Sequence, residues 1–446
     1  MATQSKKSRQ IVLGLVAPSG ANLEKFEDCL KRSLKKFNIS ANVIDILDLV
    51  QKIFPNETGS KDKIVRMGQK MSLGTKVRTK AADAAILAKY SAAQINRARE
   101  IGVEERAVFV LHQLKHPEEV RFLRNVYGSL FFLIGVSEKL KNQISYLTNG
   151  VQSKNEEALK LIERDQDESN SELFSTDDAT LFGQQTRDTF QMADFLVDGS
   201  DDDNSIIQAL ERFFDALHGA PKISPFQSEY YMFLAQASAL RSGDLSRQVG
   251  AVVVSQRGEI CGIGVNDVPR FGGGQYWADD EYDRRDSWLG FDANKNRLNF
   301  LLDDTLKKLR PLLKENVDDQ EFKRAMKKSC INDITEYGRP VHAEMSAVLA
   351  CSRTGISTLN ASLYCTTYPC HNCAKHIIAS GITEVFYIEP YPKSMASSLH
   401  RDALIDEVLE IGGNPTVLGK PIEQESQGSL SPLSEFLLHD FLIYSL

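Results

Sequence analysis

The chain has 446 residues, of which 42% are hydrophobic and 25% are charged, as in an ordinary globular protein of about two to three domains. Its formal net charge of −7 counts against broad nucleic-acid binding, because proteins that follow a phosphate backbone carry a basic surplus. Seven cysteines are too few for a disulfide scaffold. No apolar run reaches the roughly 20 residues that span a bilayer, and we expect a cytoplasmic protein without membrane contact.

The first part of the chain alternates apolar strand patterns with amphipathic helix patterns. A buried strand is predicted at 11–17, and the run after it repeats apolar residues at helical spacing. Further strands are predicted at 41–47, 107–114 and 129–136. Strands that alternate with helices are typical of an α/β domain with a parallel sheet.

A Gly-Ala-Pro sequence at 219–221 is typical of a linker and places a domain boundary near residue 220. We therefore predict two domains, residues 1–220 and residues 221–446. The second domain begins with a helix pattern and a pair of strands. A charged insertion at about 270–335 then separates these strands from a dense run of helix and strand patterns.

Four residues late in the chain have the types and spacing of a metal-dependent site. One residue separates His342 from Glu344, and Cys370 and Cys373 follow in a P-C-x-x-C run. Two cysteines three positions apart at a helix start can face one metal, and thiolates suit Zn²⁺. His342 completes three protein ligands and leaves the fourth position for water, which is the arrangement of catalytic zinc. The predicted cofactor is therefore Zn²⁺, held by His342, Cys370 and Cys373.

Glu344 is predicted to transfer protons rather than to bind the metal. On a regular helix it would diverge from His342 by about 200°. At a helix start it can lie beside the water, take its proton and pass it to the substrate. The combined H-x-E…P-C-x-x-C spacing is that of zinc deaminases. A C-x-x-C pair by itself also fits a redox motif or half of a structural zinc site, and Cys365, His371 and His376 are disfavoured as further ligands.

The segments GRPVHAEMSAV, TTYPCHNCAKHIIASGI and RQVGAVVV…GVNDVP resemble the deoxycytidylate deaminase branch of the cytidine deaminase superfamily. The resemblance covers residues 225–415, apart from the insertion. It implies a cytidine-deaminase-like α/β/α domain with a mixed sheet, in which zinc lies between two helix N-termini. It also implies that Asn266 holds the deoxyribose or base and that the backbone of Ala343 touches the pyrimidine edge. The sequence departs from the family at Ser346, where an asparagine is usual.

The whole chain resembles a narrower group, the bacterial antiphage dCTP/dCMP deaminases, in which a nucleotide-kinase-like domain precedes the deaminase domain. The resemblance implies hydrolysis of free deoxycytidine nucleotides that depletes dCTP during phage infection, and it implies a homo-oligomer. A triphosphate needs more positive charge than a monophosphate. We expect Arg247, Lys375 and Lys393 to supply that charge, although each residue also fits an ordinary surface cation.

The turn after the first strand lies where a phosphate-binding P-loop would be, and Gly14, Ser19 and Gly20 belong to this segment. A working P-loop ends in G-K-[ST], whereas Ala21 and Asn22 stand at those last two places here. Backbone amides at a helix start can still hold a phosphate. The first domain is therefore expected to be a P-loop-kinase-like parallel sheet domain with a degenerate P-loop and a regulatory or structural role.

Other functions stay open from the sequence. The chain also fits a housekeeping dCMP deaminase that supplies dUMP, or a toxin-like module controlled by bound RNA or protein. Deamination of bases within nucleic acid is disfavoured by the acidic balance and by the lack of interleaved basic and aromatic residues. The predicted partners are a deoxycytidine nucleotide and, at the first domain, a regulatory nucleotide, RNA or protein.

Overall fold

The computed structural model describes a large part of the chain as two compact units. The first unit runs to Pro225 and the second begins at Phe226, while the C-terminal strand belongs to the first unit. The described residues are 10–46, 60–102, 106–168, 181–290, 292–313, 318–327, 329, 331, 334, 336–389, 391, 394–406, 428–432 and 436–437. No helix within these ranges combines the length and the apolar character needed to cross a bilayer.

The first unit is built on one six-stranded sheet. Its strands are β1 (Val12–Val16), β2 (Ser40–Asp45), β3 (Ala107–His112), β4 (Phe131–Ser137), β5 (Phe195–Asp198) and β12 (Phe436–Leu437). In the order β12-β5-β4-β1-β3-β2, the first five strands along the chain pair in parallel and β12 pairs antiparallel with β5. The parallel sheet that the sequence predicts is confirmed. The position of β12 differs from the predicted division, which would assign the whole C-terminus to the second domain.

Helices connect the parallel strands of the first unit. They are α1 (Leu23–Lys36), α2 (Lys63–Ala81), α3 (Ile86–Ile101), α4 (Pro117–Tyr127), α5 (Leu140–Thr148), α6 (Asn155–Gln166), α7 (Thr186–Phe190) and α8 (Asp203–Leu217), with short 3₁₀ turns at Gly128–Leu130 and Gln152–Lys154. All five residues of β1 are buried, because β1 lies between β3 and β4 with helices packed on the sheet. The apolar residues repeated along α1, such as Phe26 and Leu30, enter the same core. Burial on both sides explains why these strands appear as continuous apolar runs in the sequence.

The second unit contains a mixed six-stranded sheet in the order β10-β11-β9-β8-β6-β7. Its strands are β6 (Gly250–Val254), β7 (Ile260–Val265), β8 (Ser362–Thr367), β9 (Glu384–Glu389), β10 (Leu404–Asp406) and β11 (Gly428–Pro432). β6 pairs antiparallel with β7 and β8, whereas β8, β9, β11 and β10 pair in parallel. The mixed sheet that the sequence predicts is confirmed.

Helices flank this sheet and fill the insertion. They are α9 (Gln227–Ala239), α10 (Asp286–Leu289), α11 (Ala293–Leu309), α12 (Asp319–Lys327), α13 (Ala343–Thr354), α14 (His371–Ala379) and α15 (Ala396–Leu399), with a 3₁₀ turn at Arg310–Leu312. Side chains alternate across a strand, so Ala251 and Val253 of β6 face the core formed by α13 and α14. Tyr364 of β8 points to the opposite face and contacts Tyr231 of α9.

The insertion leaves and rejoins the second unit at neighbouring points. Asp267 and Val341 form an isolated antiparallel bridge with two backbone hydrogen bonds of 3.3 and 2.9 Å. Val341 directly precedes His342, and Asp267 directly follows Asn266. The bridge therefore holds the start of α13 beside the end of β7, whatever the length of chain between them.

Candidate metal centre and active-site cavity

The three predicted metal ligands lie together at the starts of two helices. His342 is the N-cap residue of α13, Cys370 is the N-cap residue of α14, and Cys373 lies in the first turn of α14. Their ligand atoms all fall within 4.8 Å of one another. The Sγ atoms of Cys370 and Cys373 lie 3.3 and 3.4 Å from His342 Nδ1.

These distances fit one tetrahedral zinc ion. A Zn–S bond of about 2.3 Å and a Zn–N bond of about 2.0 Å at a tetrahedral angle separate nitrogen from sulfur by about 3.5 Å. The two observed separations are within about 0.2 Å of this value. One imidazole and two thiols are also the donor set that zinc prefers over harder cations. The residues present therefore fit zinc.

The surroundings of the three ligands separate their proton affinities. A hydrogen bond from the Cys373 thiol, aided by His342, lowers the pKa of Cys370 to about 4. The same bond, together with burial, raises the pKa of Cys373 well above its usual range. The hydrogen bond with Cys370 raises the pKa of His342 to about 9. At neutral pH the cluster thus holds one thiolate at a helix start, where the helix dipole favours negative charge.

Glu344 lies two residues after His342, in the first turn of α13, with its side chain only 5% exposed. Burial raises the pKa of its carboxyl group, and the positive charge of neighbouring His342 counteracts part of that effect. Within the described residues Glu344 is not part of the metal-ligand cluster. Its position beside the ligands suits the proton-transfer role that the sequence predicts.

A cavity of about 740 Å³ opens over the metal ligands and Glu344. Its volume lies within the range of about 300–1,000 Å³ that is usual for small-molecule sites. Ala343 is fully buried at the first position of α13 and is one of the residues that line the cavity. Arg247 also lines it, whereas Lys375 lies exposed on α14 and donates to Asn372 Oδ1 at 3.0 Å. Lys393 lies outside the described residues.

Asn266 lines the same cavity, with its amide already engaged by neighbouring backbone. Its Oδ1 accepts from the N–H of Val249 at 2.7 Å, and its Nδ2 donates to the carbonyl of Arg247 at 2.7 Å. Asn266 therefore fixes the segment that presents Arg247 to the cavity. One lone pair and one amide hydrogen remain for a substrate group, because an asparagine amide has two of each.

Part of the cavity wall comes from the insertion, and sequence reasoning missed these residues. Asp292, Asn294, Lys295 and Leu298, at the start of α11, line the cavity. The available signal is the position of the insertion, which joins Asn266 on one side to His342 on the other. A segment inserted between two site motifs has both of its ends at the site.

The disfavoured ligands stay outside the cluster. Cys365 is fully buried, its thiol donates to the carbonyl of Thr367 at 3.0 Å, and burial raises its pKa well above the usual range. His376 Nδ1 lies 2.6 Å from the carbonyl oxygen of Asn372. His371 lines the cavity, and its buried Nδ1 has no hydrogen-bond partner within the described structure.

The P-loop-like segment of the first unit differs from the expectation in one respect. Gly14 lies inside β1 rather than in the turn, and a Cβ there would come within 2.7 Å of Leu114. This glycine is therefore required by packing. Gly20 has a φ of +93°, which favours glycine, and Ser19 is buried with its N–H donating to Asp165 Oδ2 at 2.8 Å.

Comparison with known proteins points to the second unit. The family model described as the cytidine and deoxycytidylate deaminase zinc-binding region matches residues 226–389. The human deoxycytidylate deaminase is 30% identical over 160 residues, which are 36% of this chain and 63% of that protein. ComE operon protein 2 of Bacillus subtilis is 51% identical over 53 residues (12% of this chain, 28% of that protein). The deoxycytidylate deaminase of phage T4 is 44% identical over 54 residues, again 12% of this chain and 28% of that protein.

The chain thus spans less than two thirds of the length of each of these relatives. The matched region 226–389 contains the zinc-ligand cluster, Glu344 and the insertion. Residues 226–389 are thus similar to the cytidine and deoxycytidylate deaminase zinc-binding region and to part of the curated deoxycytidylate deaminases.

Proposed function

We propose that the second unit is a zinc-dependent hydrolase that deaminates free deoxycytidine nucleotides. The observation that carries the proposal is the His342–Cys370–Cys373 cluster with buried Glu344 beside it, at one cavity. The matched zinc-binding region and the relatives named deoxycytidylate deaminase support the same reaction class. In this reaction water adds to C4 of the cytosine, the C4–N bond breaks, and ammonia leaves to give a uracil nucleotide.

Glu344 carries the protons of this reaction. When bound, zinc acts as a Lewis acid that activates water for attack. The Glu344 carboxylate accepts a proton from the water and delivers it to N3 of the ring. It then takes the remaining proton of the added hydroxyl group and gives it to the leaving amine. Burial of Glu344 keeps bulk water away from these transfers and favours the protonated carboxyl between them.

Substrate recognition is assigned to the walls of the cavity. The free amide hydrogen and lone pair of Asn266 suit the deoxyribose or base, and the backbone at Ala343 suits the pyrimidine edge. Arg247 and Lys295 are cations at the cavity that suit phosphate groups. Four carboxylates also line it, those of Asp244, Asp286, Asp292 and Glu336. Arg339 pairs with Asp286, Lys295 pairs with Asp292, and Asp244 accepts from the N–H of Ser246, which limits the repulsion of phosphates by these three.

We further propose that dCTP is a substrate beside dCMP, and that the enzyme lowers the dCTP pool in antiphage defence. A cavity of about 740 Å³ has room for a triphosphate, and the resemblance of the chain to the antiphage deaminases supports the assignment to defence. Phosphoryl transfer by the first unit is not part of the proposal, because its loop lacks the P-loop lysine and the Ser19 amide is taken by Asp165. Control by RNA, protein or nucleotide at the first unit, and a homo-oligomer, stay predictions.

The test is a product assay with purified, zinc-loaded protein. We expect dUTP from dCTP and dUMP from dCMP, and no uracil in a single-stranded deoxycytidine oligonucleotide. Absence of uracil product from both nucleotides would refute the deaminase assignment. Product from dCMP alone would leave a housekeeping deaminase and remove the dCTP proposal.

A further inference from the structure

A second polar cavity lies inside the first unit, at the carboxyl ends of β1 and β3. It has a volume of about 30 Å³, which is room for about two ordered waters, whose places two oxygens of an oxyanion would take. Ser19 contributes from the loop after β1, and Gln113 and Lys115 contribute from the segment after β3. Ligands of parallel α/β sheets bind outside the carboxyl ends of the strands, so the position itself is suitable.

Within the part of the chain that the structure describes, three buried polar atoms without hydrogen-bond partners belong to residues that line this cavity. They are Ser19 Oγ, Arg78 Nη1 and Gln184 Oε1, on side chains that are 1%, 2% and 4% exposed. Each unpaired buried polar group costs about 1–3 kcal/mol. Three of them around one cavity favour a polar ligand that pairs with all of them.

The charges around the cavity favour an anion. Lys70, Arg78 and Lys115 line it, opposed by Asp165. The Asp165 carboxylate is already bound by three donors, namely Lys115 Nζ at 2.9 Å, the Ser19 N–H at 2.8 Å and Thr186 Oγ1 at 3.1 Å. Lys115 thus compensates Asp165 and Glu119 compensates Arg78, so within the described residues Lys70 is the lining cation that these two pairs leave over.

Arg78 is oriented so that one nitrogen of its guanidinium group, Nη1, remains for a ligand. Its Nε and Nη2 donate to Glu119 Oε1 at 3.2 and 2.8 Å, which leaves Nη1. Gln113, also at the cavity, has a φ of +66°, a left-handed conformation that costs a non-glycine residue free energy. Such backbone strain clusters at ligand sites, where the surrounding structure maintains it.

We propose that this cavity binds a phosphate-type oxyanion, either inorganic phosphate or the phosphoryl group of a mononucleotide. Ser19 Oγ and Arg78 Nη1 donate to the oxyanion, and Gln184 Oε1 accepts from its protonated oxygen. The site differs from a P-loop, because it uses side chains while the Ser19 amide binds Asp165. It is also independent of the deaminase chemistry of the second unit.

The test uses the full-length protein with inorganic phosphate as the probe. Binding is measured by calorimetric titration and by the change in Tm. Ser19→Ala removes one donor whose oxygen has no protein partner, so the fold is expected to keep its Tm without phosphate. We expect Ser19→Ala to weaken phosphate binding about tenfold, as for loss of one hydrogen bond to a charged group. Ser33→Ala is the matched control, since Ser33 is buried in the same unit and its Oγ donates to Leu30 instead.

Further experiments distinguish a free phosphate from a nucleotide and test the role of Gln184. Adenosine 5′-monophosphate replaces phosphate to test for a nucleotide, and sulfate tests the acceptor role of Gln184, because sulfate has no proton at neutral pH. We expect sulfate to bind more weakly than phosphate, and we expect Gln184→Met to reduce this preference. Binding of neither phosphate nor the mononucleotide, or binding that Ser19→Ala and Gln184→Met leave unchanged, would overturn the proposal and leave a cavity for water.

Discussion

Replacement of Glu344 by glutamine separates proton transfer from metal binding. The amide has the size of the carboxyl group but cannot accept the water proton, and Glu344 lies outside the metal-ligand cluster. General acid–base catalysis contributes about 10²–10⁴-fold to rate. The expected loss in kcat for Glu344→Gln is therefore of that size, or about 3–5 kcal/mol at 1.36 kcal/mol for each tenfold.

Zinc content and Tm decide whether such a loss is chemical. The substitution removes a carboxyl group whose ionisation is opposed by burial, so Tm should not fall below the wild-type value. Glu229→Gln is the control, because Glu229 is a buried carboxylate of the same unit whose Oε2 accepts from the N–H of Phe226. A zinc-loaded, folded Glu344→Gln protein with kcat within tenfold of wild type would refute the role of Glu344.

Three further predictions concern the metal centre and the cavity. Zinc binding at pH 7 should release about two protons, because the pKa of His342 is about 9 and the pKa of Cys373 is also raised. Fewer protons should be released above pH 9. Calorimetry in buffers of different ionisation enthalpy measures the number released. Gly264→Ala should cost about 3 kcal/mol or more in urea unfolding and lower zinc content, because its Cβ would lie 2.1 Å from a carbonyl oxygen of α13. Asn266→Asp should raise KM, because an oxygen would face the Arg247 carbonyl that the amide now binds, and zinc content should stay near stoichiometric.

Each of these predictions has an opposing result. Uptake of zinc without proton release at pH 7 would show that the ligands are already deprotonated. Gly68→Ala is the control for Gly264→Ala, since a Cβ at Gly68 would make only ordinary contacts. Equal stability of these two variants would contradict the packing argument. An unchanged KM for Asn266→Asp would remove Asn266 from the substrate site.

The strands of the first unit were predictable because burial on both faces leaves a continuous apolar run, as in β1. The helix starts at His342 and Cys370 were predictable because the ligand pattern itself requires them. Contacts between distant residues carried no local signal. Ser19 and Asp165 are 146 positions apart, and nothing in either segment indicates that a carboxylate binds the loop amide.

The sequence did not indicate which residues of the insertion line the cavity. The sequence shows a charged insertion at about 270–335, but its composition does not tell which part of it covers a site. Gly14 belongs to the P-loop-like sequence but lies inside β1, where a Cβ would come within 2.7 Å of Leu114, and this close packing has no signal in the sequence.

The bridge between Asp267 and Val341 has a consequence for how this protein varies. Because the two backbone hydrogen bonds close the insertion at its base, we expect that the polypeptide between Asp267 and Val341 can change in length while His342, directly after Val341, keeps its place. On the proposed function, the metal ligands and the part of the cavity wall that comes from the insertion would then vary separately. Related chains that share the chemistry are expected to diverge first in this removable wall, and a transplanted insertion should carry substrate preference with it.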